Sequence, residues 1–222
     1  MVVDDLELCN ADQPGVVVQV FRDAVGRHMR KLAGLRAGVV TRVQQALLER
    51  ASFHLAVPMI EAWLFADPQG PANAGVPTQR LPPQWAAHQC PEDFLTLDHN
   101  YASAPACAEW LKLPLPKQTK SSRPQWLIDA RERHPKAFLS WLCREEVPRK
   151  CSAYRETHGG ADALRDLDWQ AILARPPGEM RFLRALVDDL AEACGNTSLR
   201  QTSVASETSR MARRTPQVLR NI

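Results

Sequence analysis

The chain has 222 residues, with 28 Lys plus Arg, 25 Asp plus Glu and 45% hydrophobic residues, which suits a soluble globular protein and excludes collagen, coiled coil and wholesale disorder. Of the net charge of +3, residues 195–222 supply +4 through five Arg against one Glu, so the body before Gly195 stands at −1. Nucleic-acid binding through a net positive field on the body is therefore excluded, and any such role falls to local patches or to the tail.

In chain order, Val2 and Val3 read as the end of a buried strand that runs straight into Asp4, Asp5, Leu6 and Glu7. Asn10-Ala-Asp-Gln-Pro14 supplies N-cap candidates and a first-turn proline, after which Val17, Val20, Phe21, Ala24, Val25 and Leu32 recur at helical spacing. This predicts an amphipathic helix ending near Gly34. A second helix is predicted from about Val39 to Arg50, where Val39, Val43, Ala46 and Leu47 form an apolar stripe. Ser52 to Val57 fits a buried strand closed by Pro58, and Met59 to Asp67 a helix stopped by Pro68 and Gly70. Strand, helix, helix, strand, helix, with acids at strand ends, is an α/β signature.

Six prolines between Pro68 and Pro91 predict a long loop or a connection between subdomains. A second loop, Leu113 to Pro124, carries Lys117, Lys120 and Arg123 and no acid. Pro135 starts a helix through Ala137, Phe138, Trp141 and Leu142. Tyr154-Arg-Glu-Thr-His-Gly-Gly160 is turn-rich, Ala161 to Leu167 is a short helical piece, and Asp168 is placed to cap Trp169 to Ala174. Pro176-Pro177 is predicted to begin the last helix, with Phe182, Leu183, Leu186, Val187 and Leu190 on one face and Gly195 as its C-cap. The Ser/Thr/Arg-rich remainder reads as disordered. The expected organisation is an α/β part over 1–67, proline-rich loops and connecting helices over 68–124, a helical part over 125–194 and a disordered tail over 195–222.

Six scattered cysteines without a CxxC or paired Cys/His spacing argue against a zinc ribbon and for reduced core thiols. The N-terminus lacks the basic and apolar regions of a signal peptide, and no run approaches the 18 apolar residues of a membrane helix. A cytoplasmic protein without disulfides is the expectation. GxSxG, P-loop and GxGxxG motifs are absent from the sequence.

The acids Asp4, Asp5 and Glu7 fall at the C-terminal end of the first strand, the edge of an open α/β sheet where ligands bind. In extended chain Asp5 and Glu7 point the same way and can hold one divalent cation, Mg²⁺ being the ion suited to phosphate chemistry. Alternatively, Asp4 and Asp5 cap a helix or face water. Glu61 follows a strand and stands either at the same sheet edge as Asp5, as a ligand or acid/base, or in a first helical turn where it favours the dipole. His134 and Lys136 at a helix start either present an imidazole and a cation to a phosphate or sit beside a surface N-cap. Among six tryptophans, Trp85 is the one placed to stack on a base.

The segments Val3-Asp-Asp-Leu-Glu-Leu8, Val57-Pro-Met-Ile-Glu-Ala-Trp-Leu-Phe-Ala-Asp67, His134-Pro-Lys-Ala-Phe-Leu-Ser-Trp-Leu-Cys143 and Tyr154 to Gly160 with Leu167-Asp-Trp169 together resemble an uncharacterised bacterial family of Toprim-like, nuclease-like proteins. Its members often stand beside an ABC- or SMC-type ATPase in anti-phage gene clusters. The resemblance implies a partial Toprim-like sheet followed by a mainly helical C-terminal part. It also implies acids that hold Mg²⁺ for phosphodiester hydrolysis: Asp4, Asp5 and Glu7 as metal ligands, Asp5 and Glu61 as catalytic residues. Lys117, Lys120, Arg123, His134 and Lys136 are the expected nucleic-acid contacts. The family pattern begins with a strand and a Glu-Gly motif, whereas here nothing precedes Met1, so the chain reads as one that starts one or two elements late. The alternative expectation is a non-catalytic interaction subunit or truncated remnant that binds a partner ATPase.

Overall fold

The computed structural model describes residues 1–34, 36–81, 89–103, 131–144, 154, 159–196, 205–210 and 218–222. The expected contacts Lys117, Lys120 and Arg123, and Trp85, lie outside them. The elements in chain order are β1 (Val2–Asp5), α1 (Pro14–Leu32), α2 (Ala37–Arg50), β2 (Phe53–Ala56), α3 (Gly70–Asn73), α4 (His99–Ser103), α5 (Pro135–Leu142), α6 (Ala161–Arg165), α7 (Trp169–Leu173) and α8 (Arg181–Ala193), with short 3-10 turns between them. Among the described residues the fold is mixed α/β, mostly helical, with a small two-stranded parallel sheet. No described helix is long and apolar enough to cross a membrane.

The chain forms two compact units, one of residues 1–57 with 175–222 and one of residues 58–174. In the first, β1 and β2 pair in parallel with Val2 opposite Phe53 and Asp5 opposite Ala56, and α1 and α2 make the crossover. The Val2 and Leu6 N–H groups donate to the Ser52 and Ala56 carbonyls, each at 2.9 Å. The even-numbered residues of β1 therefore face β2, and Val3 and Asp5 turn their backbone groups to the outer edge. By the same alternation Phe53 and Leu55 face away from β1. There the side-chain amide of Asn221 stands in for a neighbouring strand: the Phe53 N–H donates to Asn221 Oδ1 at 2.9 Å, and Asn221 Nδ2 donates to the Phe53 carbonyl.

Phe53, Leu55 and Val57 are buried with Leu6, Val18, Phe182, Leu219 and Ile222 in one apolar cluster. Phe21 of α1 stacks on Phe53 with centroids 3.9 Å apart. Strand β2 is buried throughout, as its largely apolar run predicts, while Val2 and Val3 of β1 are exposed. The buried strand expected at Val2 and Val3 is thus an exposed one, because α8 packs on β2.

Two expectations for this unit are corrected. Helix α8 begins at Arg181 and not at Pro176, because Met180 adopts φ 54 and breaks the path; the Arg184 guanidinium donates to the Arg175 and Glu179 carbonyls and holds the preceding turn. Helix α8 ends as predicted at Gly195, whose φ of 69 suits glycine, with Gly195 N–H bonded to Glu192 and Asn196 N–H to Ala191 in a Schellman arrangement. The described parts of the tail are ordered against the fold: Ser206, Thr208, Ser209, Leu219, Asn221 and Ile222 are buried. Composition argued for disorder, but Leu219 and Ile222 have apolar surface to bury and Arg220 and Asn221 find partners in the sheet and α8.

The second unit is built around rings. Phe138 of α5 lies 5.8 Å from Phe65, 6.1 Å from Phe94 and 5.1 Å from Tyr101, and Trp63 meets Trp169 edge to face at 6.3 Å. The segment predicted as an α-helix after Pro58 is a 3-10 helix, Ile60–Ala66, with Glu61 to Ala66 all buried. Burial on every side lets packing decide over local propensity. Gly70 lies so close that a Cβ there would fall 2.0 Å from the Leu64 carbonyl oxygen, so only glycine lets α3 return against this segment.

Candidate functional site

At the carboxyl end of β1, Asp4 is exposed, Asp5 half-buried and Glu7 exposed. The Asp5 N–H donates to Asp4 Oδ1 at 3.1 Å. Leu6 anchors the chain in the core, and Glu7 then takes φ 64, ψ 148, a backbone region nearly reserved for glycine. The strand ends at Asp5, so the alternation that aligned Asp5 with Glu7 in an extended chain does not extend to Glu7. A 3-10 turn, Leu8–Asn10, follows, and Asn10 Nδ2 donates to the Leu6 carbonyl at 3.1 Å. Asn10 is thus used in this turn and does not cap α1, whose N-cap position is Gln13.

Among the described residues no group of three metal-ligating side chains converges. Mg²⁺ requires fewer, being held by one or two carboxylates with waters and phosphate oxygens completing its shell. Asp4, Asp5 and Glu7 are hard oxygen donors of that kind.

Glu61, in the first turn of the Ile60–Ala66 segment, is 2% exposed, and the Tyr154 hydroxyl donates to its Oε1 at 3.5 Å. A Cβ on Gly160 would lie 3.1 Å from that hydroxyl. Tyr154 and Gly160 are therefore brought together at the buried carboxylate, a meeting that their spacing in the sequence does not reveal. Asp67 acts as a structural hinge: its Oδ1 accepts from the Gln69 N–H and its Oδ2 from the Asp168 N–H, both at 2.9 Å.

His134 is the N-cap of α5, its Nδ1 accepting from the Ala137 N–H at 3.3 Å, and it is 2% exposed. Burial, reinforced by the Lys136 charge, lowers its pKa to about 4. At neutral pH it offers no cation to a phosphate, and Lys136 is half-buried. The unfolded chain binds this proton at about 6.5, so the stability of the second unit is full above that pH and falls as pH drops toward 4. The loss is expected to be on the order of 3 kcal/mol. His134→Asn, which keeps an acceptor at the cap, is expected to flatten the dependence in urea titrations at pH 7 and pH 4.5; an unchanged slope refutes the assignment.

A buried polar network in the first unit escaped the sequence reading. His54 Nε2 lies 3.1 Å from Asp189 Oδ2, with the two side chains 0% and 2% exposed. The other Asp189 oxygen accepts from Arg220 Nε, and Arg220 also donates to the Glu49 carbonyl at 3.0 Å and pairs with Glu192 at 3.2 Å. Burial alone would raise the Asp189 carboxyl, but hydrogen bonds from His54, Ser52 and Arg220 outweigh it and hold the pKa down to about 2. The signal was present: His54 interrupts an apolar strand, and Asp189 falls on the same helical face as Phe182 and Leu186.

Of the described thiols, Cys143 is buried with its pKa raised to about 11 by burial, Cys90 is half-buried and Cys194 exposed. The expectation of core cysteines thus holds for Cys143 and not for Cys194. A scan against protein-family models finds no match, and searches of curated proteins and of solved structures find none either.

Proposed function

We propose that the chain is a Mg²⁺-dependent, nuclease-like protein acting on phosphodiesters, with β1 and β2 forming part of a Toprim-like sheet. The observation that carries this reading is the carboxyl end of β1, where Asp4, Asp5 and Glu7 lie within four residues and Glu7 holds a backbone conformation that non-glycine residues adopt only under constraint. In open α/β sheets that end of a strand is where ligands are bound. Asp4, Asp5 and Glu7 would hold the ion, which when bound neutralises phosphate charge and lowers the pKa of a bound water. Glu61, buried and partnered by Tyr154 in the second unit, is an acid/base candidate in its own right. Lys117, Lys120 and Arg123 would contact the nucleic-acid backbone.

Incubation of the purified chain with labelled DNA and RNA in Mg²⁺ or Mn²⁺ tests this, with Asp5→Ala and Glu61→Gln assayed separately. Cleavage that falls about 100-fold or more in Asp5→Ala, with circular dichroism unchanged, is the expected result; the scale is that of removing a general acid, base or metal ligand. Cleavage by neither metal, or cleavage indifferent to Asp5, overturns it and leaves the interaction-subunit reading, for which co-purification with an ABC- or SMC-type ATPase is the measurement.

A further inference from the structure

We propose that α1 and α2 form a nucleic-acid-binding arm that grips the phosphate backbone of a duplex without reading its bases; the choice of polyanion rests on the phosphodiester reading above. The apolar core of the first unit reaches α1 as far as Val25 and α2 from Leu47 onward. Among the described residues between them none is buried, so the outer part of the helix pair is held by the contact of α1 with α2. That part is also where the charge lies. Residues 24–48 hold five Lys or Arg and no acid. The body before Gly195 stands at −1, so with these five cations set aside the rest of it carries −6.

Arg27, Arg30, Lys31, Arg36 and Arg42 are all exposed, and no described carboxylate pairs with any of them. The flanking acids are engaged elsewhere: Asp23 accepts from Gln19 Nε2 at 2.8 Å, and Glu49 accepts from Gln45 Nε2. Arg27 and Lys31 lie four residues apart, and Arg27 and Arg30 three, spacings at which like charges share a helix face and repel. That face of α1 is opposite Val18 and Val25, which turn to the core. Among the described residues nothing offsets the repulsion, and a polyanion does. Two features select the duplex backbone. Residues 24–48 contain no Phe, Trp or Tyr, so the arm offers no aromatic ring on which an unpaired base can stack. Nor is any large apolar side chain exposed among its described residues, as a helix lying in a lipid surface requires. Cations alone contact phosphates and position the protein without reading sequence.

Fluorescence anisotropy of the full chain with DNA and RNA duplexes of two unrelated sequences, in EDTA and between about 50 and 200 mM salt, provides the test. Equal affinity for the two sequences is expected, with log K falling linearly with log salt by about 0.9 per phosphate contact. Arg27→Gln combined with Lys31→Gln keeps good helix formers. It is expected to weaken binding to both sequences alike and to flatten the slope by about 2, with circular dichroism unchanged. Arg27→Lys combined with Lys31→Arg keeps both charges and is expected to retain the parent slope. No binding to either duplex, a slope that the double glutamine variant leaves unchanged, or tighter binding to phosphatidylserine vesicles than to the duplexes overturns the proposal. EDTA silences metal-dependent cleavage, so binding is read apart from the nuclease assay. Duplex binding through the arm without cleavage supports the arm and sinks the nuclease reading; cleavage with binding indifferent to the arm sinks the arm alone.

Discussion

Asp189→Ala is expected to destabilise the first unit by about 3–5 kcal/mol, the scale for removing one partner of a buried ion pair. The carboxylate is 2% exposed and joins β2, through His54, to the chain's last residues, through Arg220. Its loss takes the carboxylate from a fully buried imidazole and removes one of the acceptors of the Arg220 guanidinium, which keeps the Glu49 carbonyl and Glu192. Asp189→Asn keeps the shape and one acceptor oxygen and is expected to cost less. Urea unfolding checks both; an alanine variant within about 1 kcal/mol of the parent shows that the network is not what fixes Arg220 and the tail.

The same carboxylate sets an acid limit. Its folded pKa of about 2 lies below the ordinary value near 3.9, so its contribution is complete above pH 4 and is lost as pH falls from there toward 2. On the linkage relation the loss is on the order of 2 kcal/mol. Asp189→Asn should remove this part of the acid titration and leave the His134 component, which lies between pH 6.5 and 4, unaffected. The two pH windows belong to different units and so can be assigned separately.

Phe138→Ala is the second large effect, expected to destabilise the second unit by about 3–5 kcal/mol. Phe138 is 1% exposed and its ring meets Phe65, Phe94 and Tyr101. Those three come from separate stretches of the chain, and truncating the shared ring leaves a cavity that cannot collapse without moving all of them. Phe138→Leu, which refills part of the volume, should recover more than half of the loss. Near-ultraviolet circular dichroism from the Trp63 and Trp169 pair follows the unit directly. Equal stability of the alanine and parent proteins rules out Phe138 as the organising ring.

Much of this architecture is legible from periodicity. The two helices of the crossover, the buried run of β2, the cap by Asp168 and the glycine stop of α8 follow from spacing and capping chemistry alone. What escaped the sequence lies at long separation. Asp189 reads locally as one acid on an amphipathic helix, and only the partner 135 residues earlier gives it a meaning. Asn221 reads as a tail residue until it is set beside Phe53, 168 residues away. The candidate site divides in the same way. The strand-end acids are visible as a string, whereas the strain at Glu7 and the meeting of Glu61 with Tyr154 are products of the folded backbone. The 3-10 path of Ile60–Ala66 was hidden for a further reason: apart from Glu61 its residues are apolar and buried, so no polar stripe exists to reveal the period.

The first unit draws its core from residues near both extremities, Leu6 on one side and Leu219 and Ile222 on the other, whereas the second is one uninterrupted stretch of 58–174. During synthesis the second unit can therefore be complete while the first still lacks α8 and the residues that flank Phe53. Until then β2 emerges with Phe53 and Leu55 uncovered, an apolar strand open to stray pairing. The chain's order of manufacture thus leaves this strand without α8, Leu219 and Ile222 until the last part of the first unit is made.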